Sequence, residues 1–170
     1  MTKSGLIFIT GLSGSGKSTL AKALIQKINE VYNTKAIFLD GDSLRECVGN
    51  TDYSKDGREK MSMYYVRTAK MLVEQGFIVV LATISMFESI RKFNRENFTH
   101  YLEVYLNVNV DILRLRDSKG YYKDGVDNMA FMQGLVAPTQ SDLVFYDDFD
   151  SKKAIDEFLE NTQGTHNKTF

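Results

Sequence analysis

The chain is poor in residues that cross-link or ligate metals. Cys47 is its single cysteine, so no internal disulfide can form, and the two histidines, His100 and His166, make no Cys/His spacing that would hold zinc. Neither histidine has an obvious catalytic partner, and Cys47 reads as a small buried hydrophobe. Charge of one sign is lacking too: 21 Lys and Arg against 22 Asp and Glu leave a net charge of −1 over 170 residues. A general nucleic-acid binder draws its affinity from a basic excess, so the balance argues against that class, although a local basic patch stays open. A wholly disordered chain does not fit 43% hydrophobic and 25% charged residues. The longest apolar runs, Leu6 to Ile9 and Phe77 to Ala82, are far too short for a membrane span or a signal peptide. The expectation is a cytoplasmic protein with no membrane or nucleic-acid partner, a single domain over 1–160 and a frayed polar tail over 161–170.

Alternating short β-rich runs and amphipathic stretches fill the chain. Strands are expected at Leu6 to Ile9, Ala36 to Leu39, Phe77 to Ala82, Tyr101 to Leu106 and Asp142 to Phe145. Between them the spacing predicts a helix from Lys17 to Val31, with Leu20, Leu24, Ile28 and Val31 inward. Another runs from about Lys55 to Gln75, with Met61, Tyr65, Thr68 and Leu72 on one stripe and Gly76 as the stop. Shorter helices follow at Phe87 to Asn97, Val110 to Leu115 and Ser151 to Glu160, the last with Ile155, Phe158 and Leu159 inward. This alternation implies an α/β fold, a five-stranded parallel sheet with helices on both faces. The stretch of about 116–136 breaks the rhythm and reads as a loop or lid. Met61, Met63 and Met71 read as core filler.

Gly11-Leu12-Ser13-Gly14-Ser15-Gly16-Lys17-Ser18 fits the phosphate-loop pattern G-x-x-x-x-G-K-[ST], and Thr19 continues it. Its glycines let backbone N–H groups close around an anion, and the helix that follows points its positive end at the same place. Lys17 would reach the β- and γ-phosphates of ATP, and the Ser18 hydroxyl would ligate Mg²⁺. Because the motif follows a strand and opens an amphipathic helix, a phosphate-binding role outweighs an empty glycine turn.

Asp40-Gly41-Asp42, followed by Arg45, ends the second strand, where ligands of open parallel sheets bind. One carboxylate could take a proton from an attacking hydroxyl and one could support Mg²⁺ through water, whereas the plain alternative is a turn that caps a helix starting near Ser43. Ser85, after the third strand, is either a polar site residue or the cap of the next helix. Arg114, Arg116, Lys119 and Lys123 could close over phosphates or form a solvated face. The guanine signature Asn-Lys-x-Asp is missing, since the only Asn-Lys pair, Asn167-Lys168, lacks the Asp, and this argues for a small kinase over a GTPase.

With these residues in view, the chain resembles the adenylylsulfate kinase family from about residue 5 to residue 145. The likeness rests on Gly11 to Thr19, Leu39 to Asp42 with Arg45, Ser54 to Arg58, Ile84-Ser85, Glu103 to Leu106 and Arg116 to Lys123, all in the family's order. It implies a P-loop kinase fold, ATP as donor with Mg²⁺, a nucleotide ribose 3′-hydroxyl as acceptor and a homodimer. It further implies Asp42 as the base, Lys17 as catalytic, and Ser85 at a position treated in the family as a phosphoserine. Asp40, Arg45, Arg58 and Ile84 would contact the acceptor, Arg45 and Arg58 through its phosphate-like groups. Tyr53 would stack on its base with Phe131 as a second ring, and Arg116 and Lys119 would meet the phosphates from the lid. The departures fall on the acceptor side: Met61 stands where the family has Asn, and Met129 to Val136 has lost the family's Asp, Tyr and Glu. That pattern looks like the divergent members of bacterial capsule pathways, which act on a cytidine nucleotide. The alternatives are a kinase of sulfate assimilation and, from another class, a non-catalytic nucleotide-binding regulator.

Overall fold

The computed structural model describes residues 4–116 and 134–164. In chain order the elements are β1 (Gly5–Gly11), α1 (Lys17–Tyr32), β2 (Ile37–Asp40), α2 (Gly41–Cys47), α3 (Lys55–Glu74), β3 (Ile78–Ala82), α4 (Glu88–Asn97), β4 (Tyr101–Asn107), α5 (Val110–Leu115), β5 (Leu143–Tyr146) and α6 (Ser151–Gly164). The five strands form one parallel sheet in the order β2-β3-β1-β4-β5. Central β1 pairs Leu6 with Val79 on one side and with Tyr101 on the other. Its side chains are buried throughout, as continuous apolar runs of parallel strands require.

Alternate residues of each strand feed two cores. Ile7, Ile9, Val80, Val104 and Phe145 pack against Leu20, Leu24 and Ile28 of α1 and Ala154 and Phe158 of α6. Leu6, Phe8, Val79 and Leu81 pack against Met61, Tyr65, Val66 and Ala69 of α3 and Phe87 and Ile90 beside and within α4. The helix after β1 therefore lies on one face and the helix after β3 on the other. These strands are neighbours, so a crevice opens between their carboxyl ends.

Several expectations change in three dimensions. Helix α2 starts at Gly41, directly on the end of β2, and α6 runs to Gly164, past the expected stop at Glu160. Val31 is 42% exposed, and Ala21 takes its place on the buried face of α1. Met71 is 54% exposed rather than core, because it lies on the outer side of α3. Cys47 is exposed rather than buried: α2 turns Gly41 and Arg45 inward, which leaves its last residue outside. Among the described residues, no helix is long and apolar enough to cross a membrane.

Candidate active site

The loop from Gly11 to Gly16 turns tightly because its glycines adopt φ values of +150°, +77° and +94° at positions 11, 14 and 16, a region that side chains rarely enter. A Cβ at Gly11 would lie 2.7 Å from the Leu106 carbonyl oxygen, so β4 fixes the loop from below. Gly16 caps α1 with no side-chain hydrogen bond, which leaves the first amides of the helix directed at an anion. Lys17 Nζ donates to the Leu12 carbonyl at 2.6 Å and lies along the loop it serves.

Asp40 performs two tasks at once. Its Oδ1 accepts from the amides of Asp42 and Ser43 at 3.1 and 3.2 Å and so starts α2. Its Oδ2 accepts from Ser18 Oγ at 2.8 Å and ties the end of β2 to the phosphate loop. The capping alternative thus holds for Asp40, while Asp42, in the first turn of α2, turns into the cavity.

That cavity, of about 310 Å³, gathers residues from six separate segments. Ser13, Gly14, Gly16, Lys17, Ser18 and Thr19 form its phosphate wall, with Asp40 and Asp42 beside them, and Arg45, Tyr53, Arg58, Ile84 and Ser85 close it. Gly11, Leu12 and Ser15 build the turn rather than the wall. Arg116 pairs with Asp148 and Arg114 with Asp111, at the sheet edge rather than on this wall. Lys119 and Phe131 lie outside the described residues, as do Lys123 and most of the expected lid.

Two guanidinium groups are buried here, Arg45 at 9% and Arg58 at 7% exposure. Arg45 Nη1 donates to Asn50 Oδ1 and to the Asp52 carbonyl, both at 2.8 Å, and its guanidinium sits over the Tyr53 ring, 4.5 Å from the centroid. Burial, and then the nearby charge of Arg45, lowers the pKa of Arg58. The two cations repel one another, and a bound anion would relieve that repulsion.

Ser85 caps no helix, since α4 is preceded by Phe87. Its hydroxyl donates to Ser62 Oγ at 2.7 Å and meets Thr83 Oγ1 at 2.9 Å, and Ser62 donates in turn to the Arg58 carbonyl at 2.8 Å. This buried hydroxyl chain anchors the Arg58 turn of α3 to the end of β3. Met61 packs in the core with Leu6 and Phe8, as its place on the apolar stripe predicts, and not on the acceptor side where the family resemblance puts it. The wall takes Tyr65, Thr83, Phe87 and Leu135, none of which the sequence reading assigned to the site. At about 100° per residue Arg58, Met61 and Tyr65 share one face of α3, and Arg58 and Tyr65 line the cavity while Met61 packs in the core. Leu135 is held by its neighbour: the Val136 amide donates to the Met86 carbonyl at 2.8 Å, and Arg91 donates to the Val136 carbonyl at 2.8 Å.

A phosphate loop at the carboxyl ends of a five-stranded parallel sheet, facing carboxylates and arginines across one cavity, defines a P-loop kinase. A family model described as adenylylsulphate kinase matches residues 3–143, and the chain belongs to that ATP-using kinase family. It is 38% identical over 143 residues to the cytidine diphosphoramidate kinase of Campylobacter jejuni, across 82% of this chain and 84% of that protein. It is 36% identical over 140 residues to the adenylyl-sulfate kinase of Bacillus velezensis, across 80% of this chain and 71% of that protein. The Mycobacterium tuberculosis APS kinase in complex with AMPPNP and APS shares the fold, with a TM-score of 0.81 at 24% identity over 94% of this chain and 98% of that one.

Proposed function

We propose that this kinase transfers the γ-phosphate of ATP to the ribose 3′-hydroxyl of a nucleotide, with cytidine diphosphoramidate of capsule synthesis as the acceptor. The observation that carries the reading is the sharing of one cavity by the phosphate loop, Asp42, Arg45 and Arg58. Arg45 and Arg58 draw in the acceptor's phosphate chain, and Tyr53 offers the ring face that Arg45 leaves open to its base. Asp42 takes the 3′-hydroxyl proton as the oxygen bonds to the γ-phosphorus. The bond from that phosphorus to the β,γ-bridging oxygen breaks, and ADP leaves with the electron pair. Lys17 and the loop amides hold the charge that spreads over the γ-phosphoryl oxygens. Ser85 and Ser62 keep Arg58 in place.

Mg²⁺ suits the donors present. The Ser18 hydroxyl and the Asp40 carboxylate behind it are hard oxygen groups, and among the described residues no cluster of His, Cys, Asp or Glu would form a full protein cage. Such an ion keeps water and phosphate oxygens as its other ligands, and it neutralises phosphate charge when bound.

The cytidine acceptor is favoured over adenylylsulfate by the altered sequence at 129–136 and by the likeness to the Campylobacter jejuni enzyme. The test gives ATP with each acceptor in turn and follows ADP and the 3′-phosphorylated product. Catalytic efficiency with cytidine diphosphoramidate should exceed that with adenylylsulfate by at least about tenfold, or roughly 1.4 kcal/mol of transition-state binding. Equal or better efficiency with adenylylsulfate would assign the enzyme to sulfate assimilation. ADP release with neither would leave a nucleotide-binding regulator.

A further inference from the structure

We propose that the Tyr65 hydroxyl reads the acceptor directly, donating a hydrogen bond to an anionic oxygen of its phosphate chain next to Arg45. The inference rests on the nucleotide-acceptor reading above and adds a residue to it.

Tyr65 is 4% exposed, with its ring packed among the α3, β1 and β3 side chains of the second core and its edge on the cavity wall. The ring therefore cannot swing aside when a ligand enters. It shares that wall with Arg45, Asp42 and Tyr53, whose charges act on the phenol. A guanidinium carries only N–H donors and a phenol carries one O–H donor, so the two can meet a single anionic oxygen together.

Arg45 is itself immobile, held by Asn50 Oδ1, the Asp52 carbonyl and the Tyr53 ring. It therefore holds a fixed positive charge on the cavity wall that Tyr65 shares. Burial raises the Tyr65 pKa further above neutrality, so the group stays an O–H donor at working pH. An anionic oxygen drawn in by Arg45 then receives two convergent hydrogen bonds, one from the guanidinium and one from the phenol. A ligand with no phosphate there leaves the buried hydroxyl without its acceptor, which is how such a group discriminates.

Tyr65→Phe keeps the ring and removes only this donor. Cytidine diphosphate serves as the probe, titrated calorimetrically into wild type and variant, each saturated with a non-hydrolysable ATP analogue. The expected result is a dissociation constant about tenfold higher in the variant, with affinity for the ATP analogue unchanged within twofold and an unchanged Tm. Unaltered affinity for cytidine diphosphate, or equal loss of both ligands, would overturn the role of Tyr65 and leave the kinase reading standing. Wild type that binds neither cytidine diphosphate nor adenylylsulfate would remove the acceptor reading, and the Tyr65 role with it. Should the variant not fold, wild type labelled with ¹³C at tyrosine Cζ gives the same decision. The Tyr65 resonance should shift on addition of cytidine diphosphate and not on addition of the ATP analogue, and a silent resonance would overturn the proposal.

Discussion

Asp40 and Asp42 stand two residues apart and differ in use because α2 begins between them. The Asp40 oxygens are consumed by two backbone amides and by Ser18, whereas Asp42 is carried round the first turn of α2 to face the cavity. Asp42→Asn keeps the shape and removes the proposed base. Turnover should fall about a hundredfold or more while ATP affinity, measured by titration, stays within a few-fold. Lys17→Ala should abolish measurable transfer in a protein that still folds, since the lost charge matters most in the transition state. Normal turnover in the Lys17 variant would remove the kinase mechanism, and lost ATP affinity at an unchanged rate in the Asp42 variant would move that residue to the metal side.

At the scale of the element, the start of α3 shows how one contact sets a composition. Ser54 caps the helix by accepting from the Gly57 amide at 3.1 Å, and the Asp52 carboxylate accepts from the Ser54 amide at 2.9 Å. That carboxylate lies where a side chain at 57 would begin, 2.3 Å from a Cβ built on Gly57. The Ser54 hydrogen bonds hold the Asp52 pKa below its ordinary value. Gly57→Ala must displace Asp52 and should destabilise the wild type, whereas in an Asp52→Ala background the same change should be neutral or gain up to about 1 kcal/mol from helix propensity. A double-mutant cycle by urea unfolding should return a coupling of about 1–2 kcal/mol, and additive effects would contradict this packing. The same helix shows the pattern right for Met61, which is core, and incomplete for Tyr65. An apolar stripe marks the side facing the sheet, and Tyr65 belongs to that stripe while its hydroxyl end reaches the cavity.

For the whole molecule, the second core contains a polar knot far from the phosphate loop. Glu103, fully buried on β4, accepts from Tyr101 Oη at 2.8 Å and from Ser141 Oγ at 2.7 Å, and Arg95 lies 3.8 Å away. Burial first, and then the Glu103 charge, pushes the Tyr101 pKa far above the ordinary tyrosine range. Burial also raises Tyr65 and Tyr105. With folded pKa values above unfolded ones, the unfolded chain releases these protons first. The stabilisation is whole below the ordinary tyrosine pKa of about 10 and is lost as pH rises beyond it. Tm should therefore fall steeply above about pH 10, and the tyrosinate absorbance of these rings should appear only with unfolding. Tyr101→Phe should make the alkaline slope shallower by about 1.4 kcal/mol per pH unit, and an unchanged slope would assign the loss to other groups.

The order of strands and helices, the phosphate loop, and the presence of Asp42, Arg45, Arg58 and Ser85 near it were all legible from the sequence. Apolar runs, helical spacing and glycine positions are properties of neighbouring residues, and those signals survive without a fold. What only the tertiary structure decided depends on residues remote in the chain meeting: the strand order, the tie from Ser18 to Asp40, the hydroxyl chain from Thr83 through Ser85 to Ser62, and the wall of Tyr65, Phe87 and Leu135. The exposure of Cys47 and Met71 belongs with these, because composition states that a residue is apolar and only packing chooses which apolar residues find a partner face.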